Sequence, residues 1–268
     1  MYTKEGPGVR KDEPKKKGFA RFFEILLRDY GHLLKANFFF MMCCAPLILV
    51  VVVAVTFTAV TGLYLGVLLI AAALYVAASL LVGPALASLH AIAVKTVRDE
   101  PCYMWHEFKR VWKANWRQSM PAGTLFCTLL AMEGVAAYFY LFSQEKTNVL
   151  LTAFVLFGLL LVTVCWLFTT LQLLFLDMPL LGMMKNSLLI MFGYAKRALP
   201  AGLIILAATV GVVFFVPWPI VIPIMFLGLP ALLAVIGDMW AWPVMETAFH
   251  ISELQQAKRD GQGGESAQ

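Results

Sequence analysis

Charged residues are scarce in this chain of 268 residues, and that scarcity limits the class of protein. Only 14% of the residues are Asp, Glu, Lys or Arg, whereas 61% are hydrophobic, and the mean hydropathy is +0.80. A soluble domain carries about 25% charged residues, which cover its water-facing surface. The composition therefore excludes an ordinary soluble domain, and it equally excludes disordered, collagen-like and disulfide-rich secreted chains.

Charge is missing altogether from three long segments. No Asp, Glu, Lys or Arg occurs in residues 36–94, 147–176 or 198–237. Because a helix needs about 20 apolar residues to cross a bilayer, these segments have room for two, one and two spans. A further apolar run follows Pro121. The pattern predicts an all-α, polytopic membrane helix bundle with six transmembrane helices, at about 36–60, 63–89, 121–142, 149–176, 200–216 and 220–245.

Basic residues are distributed unevenly between the two sides that six spans define. Of the 21 Lys and Arg residues, 20 fall in the N-terminal segment, the two long inter-span connections and the C-terminal tail, and only Lys146 falls on the other side. Connections rich in Lys and Arg stay in the cytoplasm, so both termini are predicted to be cytoplasmic. We expect a disordered basic tail at 1–18, a membrane domain at 19–250 and a polar tail at 251–268.

Two of the predicted cytoplasmic segments carry aromatic stripes at helical spacing, one in residues 19–30 and one between the second and third spans. The second stripe and the basic residues beside it are Trp105, Phe108, Trp112 and Trp116 with Lys109, Arg110, Lys113 and Arg117. Buried aromatic rings with cations near lipid phosphate are typical of amphipathic interfacial helices. Two interpretations stay open for this stripe, contact with anionic lipid headgroups and docking of a partner protein.

Few residues in the chain suggest catalytic chemistry. The four histidines lack metal-ligand spacing, and the chain has no phosphate-binding loop, dinucleotide fingerprint or nucleophile elbow. The five cysteines form no Cys-x-x-Cys pair, and we expect buried free thiols. The sequence therefore predicts no enzyme, and assigns no catalytic residue, cofactor, metal or nucleic-acid partner.

Glu133 is the ionisable residue that the predicted spans place deepest in the membrane. It lies about 12 residues into the third span, about 18 Å along the helix. Ionisable groups at such depth are costly and often serve a solute or ion pathway. Two interpretations stay open: Glu133 binds a polar solute or cation, or it fixes helix packing. Asp177 and Asp238 are expected near the cytoplasmic interface, and Gln172 is expected to hydrogen-bond across helices.

Two short sequences resemble each other within the chain. Arg117-Gln-Ser-Met-Pro-Ala-Gly123 opens the third predicted span, and Lys196-Arg-Ala-Leu-Pro-Ala-Gly202 opens the fifth. This similarity suggests that spans two and three are repeated as spans four and five, as in many transporter folds. The alternative is that proline is simply favoured in the first turn of a helix.

Residues 83–118 carry a pattern that points to a family. Gly83-Pro-Ala-Leu-Ala-Ser-Leu-His-Ala-Ile-Ala-Val-Lys-Thr-Val-Arg-Asp-Glu100 is followed by an aromatic-basic segment, 105–118, that ends in Asn-x-x-Gln. The pattern resembles the YesL-like family of bacterial integral membrane proteins of unknown function, with His90 where that family has a tyrosine. The resemblance implies a multi-pass protein of the bacterial cytoplasmic membrane that is associated with carbohydrate utilisation, often beside sugar ABC importers.

The expected function follows from this resemblance and from the aromatic-basic stripe. We expect an accessory or regulatory protein of carbohydrate uptake that binds subunits of a sugar ABC importer. The alternative is a small secondary transporter of a polar solute that uses Glu133.

Overall fold

The computed structural model describes residues 18–62, 65–143 and 148–256, and within these ranges it contains helices and no strand. The helices are α1 (Phe19–Thr61), α2 (Leu65–Ser79), α3 (Val82–Arg98), α4 (Met104–Tyr138), α5 (Val149–Phe175), α6 (Leu180–Gly193), α7 (Ala195–Phe215), α8 (Trp218–Phe226) and α9 (Leu229–Phe249). A π-helical turn, Phe139–Ser143, follows α4, and residues 251–256 are helical. The predicted N-terminal tail up to residue 17, Lys146 and the C-terminal residues 257–268 lie outside the described residues.

The described helices confirm an all-α, multi-pass membrane bundle. Five segments are long and apolar enough to cross a membrane, namely Phe19–Thr58, Leu65–Arg98, Met104–Leu141, Val149–Phe175 and Ala195–Val212. The pair Pro219–Phe226 and Leu229–Phe249, bent by 57°, makes a sixth if it is counted as one span. Large apolar side chains cover the outside, with Leu49 63% and Phe154 73% exposed, as a surface that faces lipid requires.

The two amphipathic stripes lie on extensions of the first and third spans. Residues 19–30 are the first turns of α1, which continues to Thr61. The aromatic-basic stripe belongs to α4, which continues through Pro121 to Tyr138. Because residues 104–120 contain neither Gly nor Pro, nothing in that stretch ends the helix. The stripes are therefore attached rigidly to the membrane domain.

The second and sixth spans are interrupted, although the sequence predicted each as one helix. The second span breaks at Leu80 and Leu81 and then continues to Arg98, beyond the expected end at residue 89. The sixth breaks between α8 and α9, where Gly228 has a φ of 118°, a conformation that favours glycine. Hydropathy does not reveal such breaks, because the residues on both sides of them are apolar.

Side chains of α1 satisfy the backbone groups that the α8–α9 break leaves open. The Nδ2 of Asn37, a fully buried residue, donates to the carbonyls of residues 225 and 226 at 2.8 and 3.1 Å, and its Oδ1 accepts from the Ala231 amide at 3.2 Å. The Tyr30 hydroxyl donates to the Leu227 carbonyl at 2.8 Å. Helix ends have unpaired backbone groups, and lipid offers them no partner, so these bonds make the break compatible with burial.

Helices α3 and α4 meet at two glycines. A Cβ on Gly83 would overlap the carbonyl of Ser119, and a Cβ on Gly123 would overlap the backbone of Gly83. Small residues let helix backbones approach this closely, and no other residue fits at either position. Gly202 of α7 packs in a similar way against the side chain of Val164 on α5.

The two Pro-Ala-Gly sequences thus both pack against an earlier span, Gly123 on the backbone of Gly83 and Gly202 on the side chain of Val164. In each of them the alanine, Ala122 or Ala201, is buried, and the glycine contacts the span that precedes it in the chain. This agreement supports the predicted internal repeat, which stays a prediction.

Substitution of Gly123 by alanine should destabilise the protein. The added Cβ would force α3 and α4 apart, and overpacking of this kind costs about 1–3 kcal/mol of unfolding free energy. Thermal unfolding in detergent micelles measures the change. Gly134→Ala is the matched control, because it lies in the same helix with nothing within 4 Å of the new methyl group. Equal melting temperatures for the two variants would contradict the close contact.

Candidate functional site

The aromatic-basic stripe of α4 divides into a buried side and an exposed side. Phe108 is buried, stacks on Trp112 with ring centroids 6.2 Å apart, and approaches Phe39 of α1 at 6.0 Å. Phe108 is therefore not available to lipid or to a partner, contrary to its predicted role, and with the half-buried Trp112 it anchors α4 to α1. Trp105 and Trp116 remain 55% and 43% exposed.

The exposed side forms one continuous surface, which we call the exposed α4 face. It consists of Trp105, Lys109, Lys113, Trp116 and Arg117. The spacing of the first four residues places them on one side of a helix with 3.6 residues per turn. The guanidinium of Arg117 lies 5.5 Å from the centre of the Trp116 ring, a cation–π contact. The face thus combines aromatic surface with positive charge.

Glu107 fastens this part of α4 to α3. Its carboxylate is buried and accepts bonds from Lys95 of α3 at 2.9 Å and from Arg110 at 2.5 Å. Bonds between charged partners are stronger than neutral ones, particularly where water is excluded. The charge of Arg110, which the sequence assigned to lipid or partner contact, is therefore engaged within α4.

The start of α1 is bound to the connection between α3 and α4. Asp99 ends α3 with a positive φ of 61°. Arg21 of α1 donates to both of its carboxylate oxygens, at 2.5 and 2.6 Å, and Arg28 donates to one of them at 2.7 Å. Two arginines of α1 thus hold the loop that directly precedes α4. They thereby fix the position of the first turn of α4 relative to α1.

The end of α9 joins the same cluster through Arg98. This arginine pairs with Glu100 at 2.8 Å, donates to Gln255 at 3.2 Å and lies 4.5 Å from the ring centre of Trp242. We refer to this collection of ion pairs as the charged end of the bundle. It joins the start of α1, the α3–α4 connection, the first turns of α4 and the segment after α9.

A cleft of about 350 Å³ opens at the charged end, between α1 and the α3–α4 connection. Its charged lining groups pair with one another or with neighbours, as Arg28 does with Asp99, and Glu100 with Arg98. Burial raises the pKa of the Cys102 thiol, which keeps it protonated and a poor nucleophile. Within the described ranges no three His, Cys, Asp or Glu side chains lie close enough to hold a metal ion.

Asp238 has a buried partner that the sequence did not predict, while its predicted position near the cytoplasmic interface stays a prediction. It is completely buried in the bundle, and its Oδ1 lies 2.8 Å from the Nδ1 of His90 on α3. The aromatic residues that follow Asp238 suggested a belt at the membrane surface. A partner 148 positions away in the chain leaves no signal in a single sequence, so this pair escaped the sequence analysis.

Gln172 bonds across helices, as the sequence predicted. Its Nε2 donates to the hydroxyl of Ser187 on α6 at 2.9 Å, and this hydroxyl also lies 3.0 Å from that of Thr169. All three side chains are buried. The bonds fix the short helix α6 against α5. Asp177 is exposed just after the end of α5, where the sequence placed it.

Glu133 contacts a neighbouring helix. Its carboxylate is half-buried and lies against Gly158 of α5, where a Cβ would come within 2.8 Å of its Oε1. Neither the cleft at the charged end nor the void of about 10 Å³ between α3, α4 and α5 is lined by Glu133. Of the two interpretations left open by the sequence, this geometry favours packing.

The fold and these contacts define a multi-pass, all-helical membrane protein. Residues 62–135, which comprise α2, α3 and most of α4, match the model of a family described as "Protein of unknown function, DUF624". The match agrees with the YesL-like pattern in residues 83–118, and the family has no assigned activity. Neither the curated proteins nor the solved structures contain a match to the chain.

Replacement of Glu107 by glutamine should loosen the first turns of α4. Lys95 and Arg110 would lose a charged acceptor, and we expect a loss of about 1 kcal/mol, since both cations keep contact with water. Amide hydrogen exchange should therefore become faster in residues 104–112. Lys113→Gln changes a charge on the exposed α4 face and should leave that exchange unaltered. Unchanged protection in Glu107→Gln would contradict the fastening role.

Proposed function

We propose that this chain is an accessory or regulatory protein of carbohydrate uptake, which binds subunits of a sugar ABC importer in a bacterial cytoplasmic membrane. The observation that carries the proposal is the exposed α4 face, whose helix is held rigidly by contacts with α1 and α3. Glu107, Phe108 and Trp112 fix one side of the helix to α1 and α3. On the exposed side Trp105 rests with one edge on Phe39 of α1, at 4.7 Å between ring centroids, and stays 55% exposed. The choice of a sugar ABC importer as the partner rests on the resemblance to the YesL-like family.

The composition of the face suits protein docking. Trp and Arg are enriched at the energetic centres of protein interfaces, and the face offers Trp105, Trp116 and Arg117. Its side chains project from a helix that is already ordered, so docking costs little conformational entropy. Lys109 and Lys113 add positive charge that would select an acidic surface on the importer. Anionic lipid headgroups are the competing occupant of the same face.

Charge reversal on the exposed α4 face should abolish recovery of the importer. In the double variant Lys109→Glu/Lys113→Glu, repulsion from an acidic partner surface should lower co-purification from mild detergent at least about tenfold, which corresponds to about 1.4 kcal/mol. Arg110 is left unchanged because it binds Glu107. The measurement is the quantity of co-expressed importer subunits that the tagged chain captures.

The matched control reverses two exposed lysines elsewhere, Lys185→Glu/Lys196→Glu, and should capture as much importer as the wild type. Capture of the chain alone from wild-type membranes, or equal capture by all three proteins, would contradict the proposal. If the Lys109/Lys113 variant instead loses affinity only for bilayers that contain anionic lipid, the face binds headgroups and the docking proposal is wrong.

A small secondary transporter of a polar solute is the second candidate function. The observation in its favour is that Glu133, an ionisable residue within a predicted span, is only half-buried there. A solute could bind to this carboxylate by displacing it from the helix contact.

Uptake by proteoliposomes tests this second candidate. Loss of the carboxylate in Glu133→Gln should lower sugar uptake at least about tenfold, the effect of losing one charged hydrogen bond to the solute. Gly134→Ala, on the next residue with open space around it, is the control and should transport normally. Absence of uptake by the wild type, or equal uptake by Glu133→Gln, would exclude a transporter that uses Glu133.

A further inference from the structure

The buried pair of His90 on α3 and Asp238 on α9 uses only one of the two carboxylate oxygens of Asp238. The Nδ1 of His90 and the Oδ1 of Asp238 are 2.8 Å apart, but the second carboxylate oxygen, Oδ2, has no hydrogen-bond partner in the part of the chain that the structure describes. The Asp238 side chain is 0% exposed, whereas 7% of the His90 side chain remains accessible. A buried carboxylate with one open oxygen is therefore connected to its surroundings only through the imidazole.

Among the described residues, His90 is the charged or titratable partner of this carboxylate, and no second one contacts it. Helix α5, which packs against both partners, has no Asp, Glu, His, Lys or Arg, and Cys165 is its titratable side chain. Charges on the other neighbouring helices lie toward their ends and bond elsewhere or are exposed. These groups are Arg21, Glu24, Arg28, Asp29, His32 and Lys35 on α1, Lys95 and Arg98 on α3, His106, Glu107, Lys109, Arg110, Lys113 and Arg117 on α4, Lys196 and Arg197 on α7, and Glu246 on α9. Glu133 of α4 is half-buried and lies against Gly158 of α5. The uncharged titratable side chains on these helices are Tyr30, Cys43 and Cys44 on α1, Tyr75 on α2, and Cys127 and Tyr138 on α4.

The net charge of the pair depends on one proton. With neutral imidazole and ionised carboxylate, the pair is an uncompensated negative charge in an apolar interior, which is strongly unfavourable. One added proton gives either imidazolium with carboxylate or imidazole with carboxylic acid. Both forms have zero net charge, and both keep the hydrogen bond between Nδ1 and Oδ1.

We propose that His90 and Asp238 form a proton-binding site inside the membrane domain, which holds one proton between Nδ1 and the carboxylate at neutral pH. The proton is taken from hydronium at the accessible edge of the imidazole, which leaves one water molecule behind. Release of this proton places a net charge between α3 and α9 and weakens their contact. The docking of α9 against α3 thus depends on proton occupancy.

Histidine nitrogen NMR spectra of the full chain in detergent micelles test the site directly. His32, His106 and His250 are exposed and serve as internal references in the same spectra. The ¹⁵N shifts of His90 should not follow those of the exposed histidines as the pH is varied, because its proton is shared with Asp238. A His90 curve that coincides with the three exposed histidines would overturn the proposal. This arm uses the wild-type protein, so it does not depend on whether any variant folds.

Unfolding at different pH gives a second measurement. In the unfolded chain His90 loses its proton near pH 6.5 and Asp238 near pH 3.9. If the folded pair keeps one proton, the unfolding equilibrium constant should rise up to about tenfold per pH unit between about pH 6.5 and about pH 8, below the range in which cysteines of the unfolded chain ionise. His90→Leu/Asp238→Leu should remove this rise, and His32→Gln should retain it. An identical pH dependence in wild type and double variant would overturn the proposal.

Discussion

The backbone contact between Gly83 and Gly123 is the constraint on which the surrounding structure depends. It brings α3 and α4 together without intervening side chains. At this separation Lys95 of α3 reaches Glu107 of α4, and the first turns of α4 become a fixed extension of the bundle. Since α3 also contacts α1, α5 and α9, its position determines where His90 meets Asp238. The segment that matches the family model contains both glycines.

Burial in an apolar environment explains how the polar groups are arranged. Lipid provides no hydrogen bonds, so polar atoms inside the bundle find partners within the protein. Asn37 satisfies both sides of the α8–α9 break, and Gln172 joins α5 to α6. This rule is followed only in part, because Oδ2 of Asp238 and Oε1 of Gln172 have no hydrogen-bond partner among the described residues. The carboxylate of Asp238 can take up a proton, whereas the amide of Gln172 cannot.

The ion pairs of the charged end hold the helix that carries the exposed α4 face. Ion pairs from α1, α3 and the segment after α9 converge on the α3–α4 connection, and α4 rises from that base with one side buried and one side open. A docking surface is useful when its side chains are held in place before the partner arrives, because less entropy is lost on binding. This rigidity links the fold to the proposed accessory role in carbohydrate uptake.

The sequence by itself determined the class of protein, the positions of its apolar segments and the aromatic-basic stripe, because charge gaps and helical spacing are properties of local sequence. It also identified the family pattern around Gly83. Only the tertiary structure decided which side of the stripe is buried. Phe108, which the sequence assigned to the interface, lies in the interior. The tertiary structure also decided where the sixth span breaks, at Gly228, and that His90 is the partner of Asp238. Hydropathy reports how apolar a segment is, whereas contacts between distant helices depend on register and tilt, which local sequence does not specify.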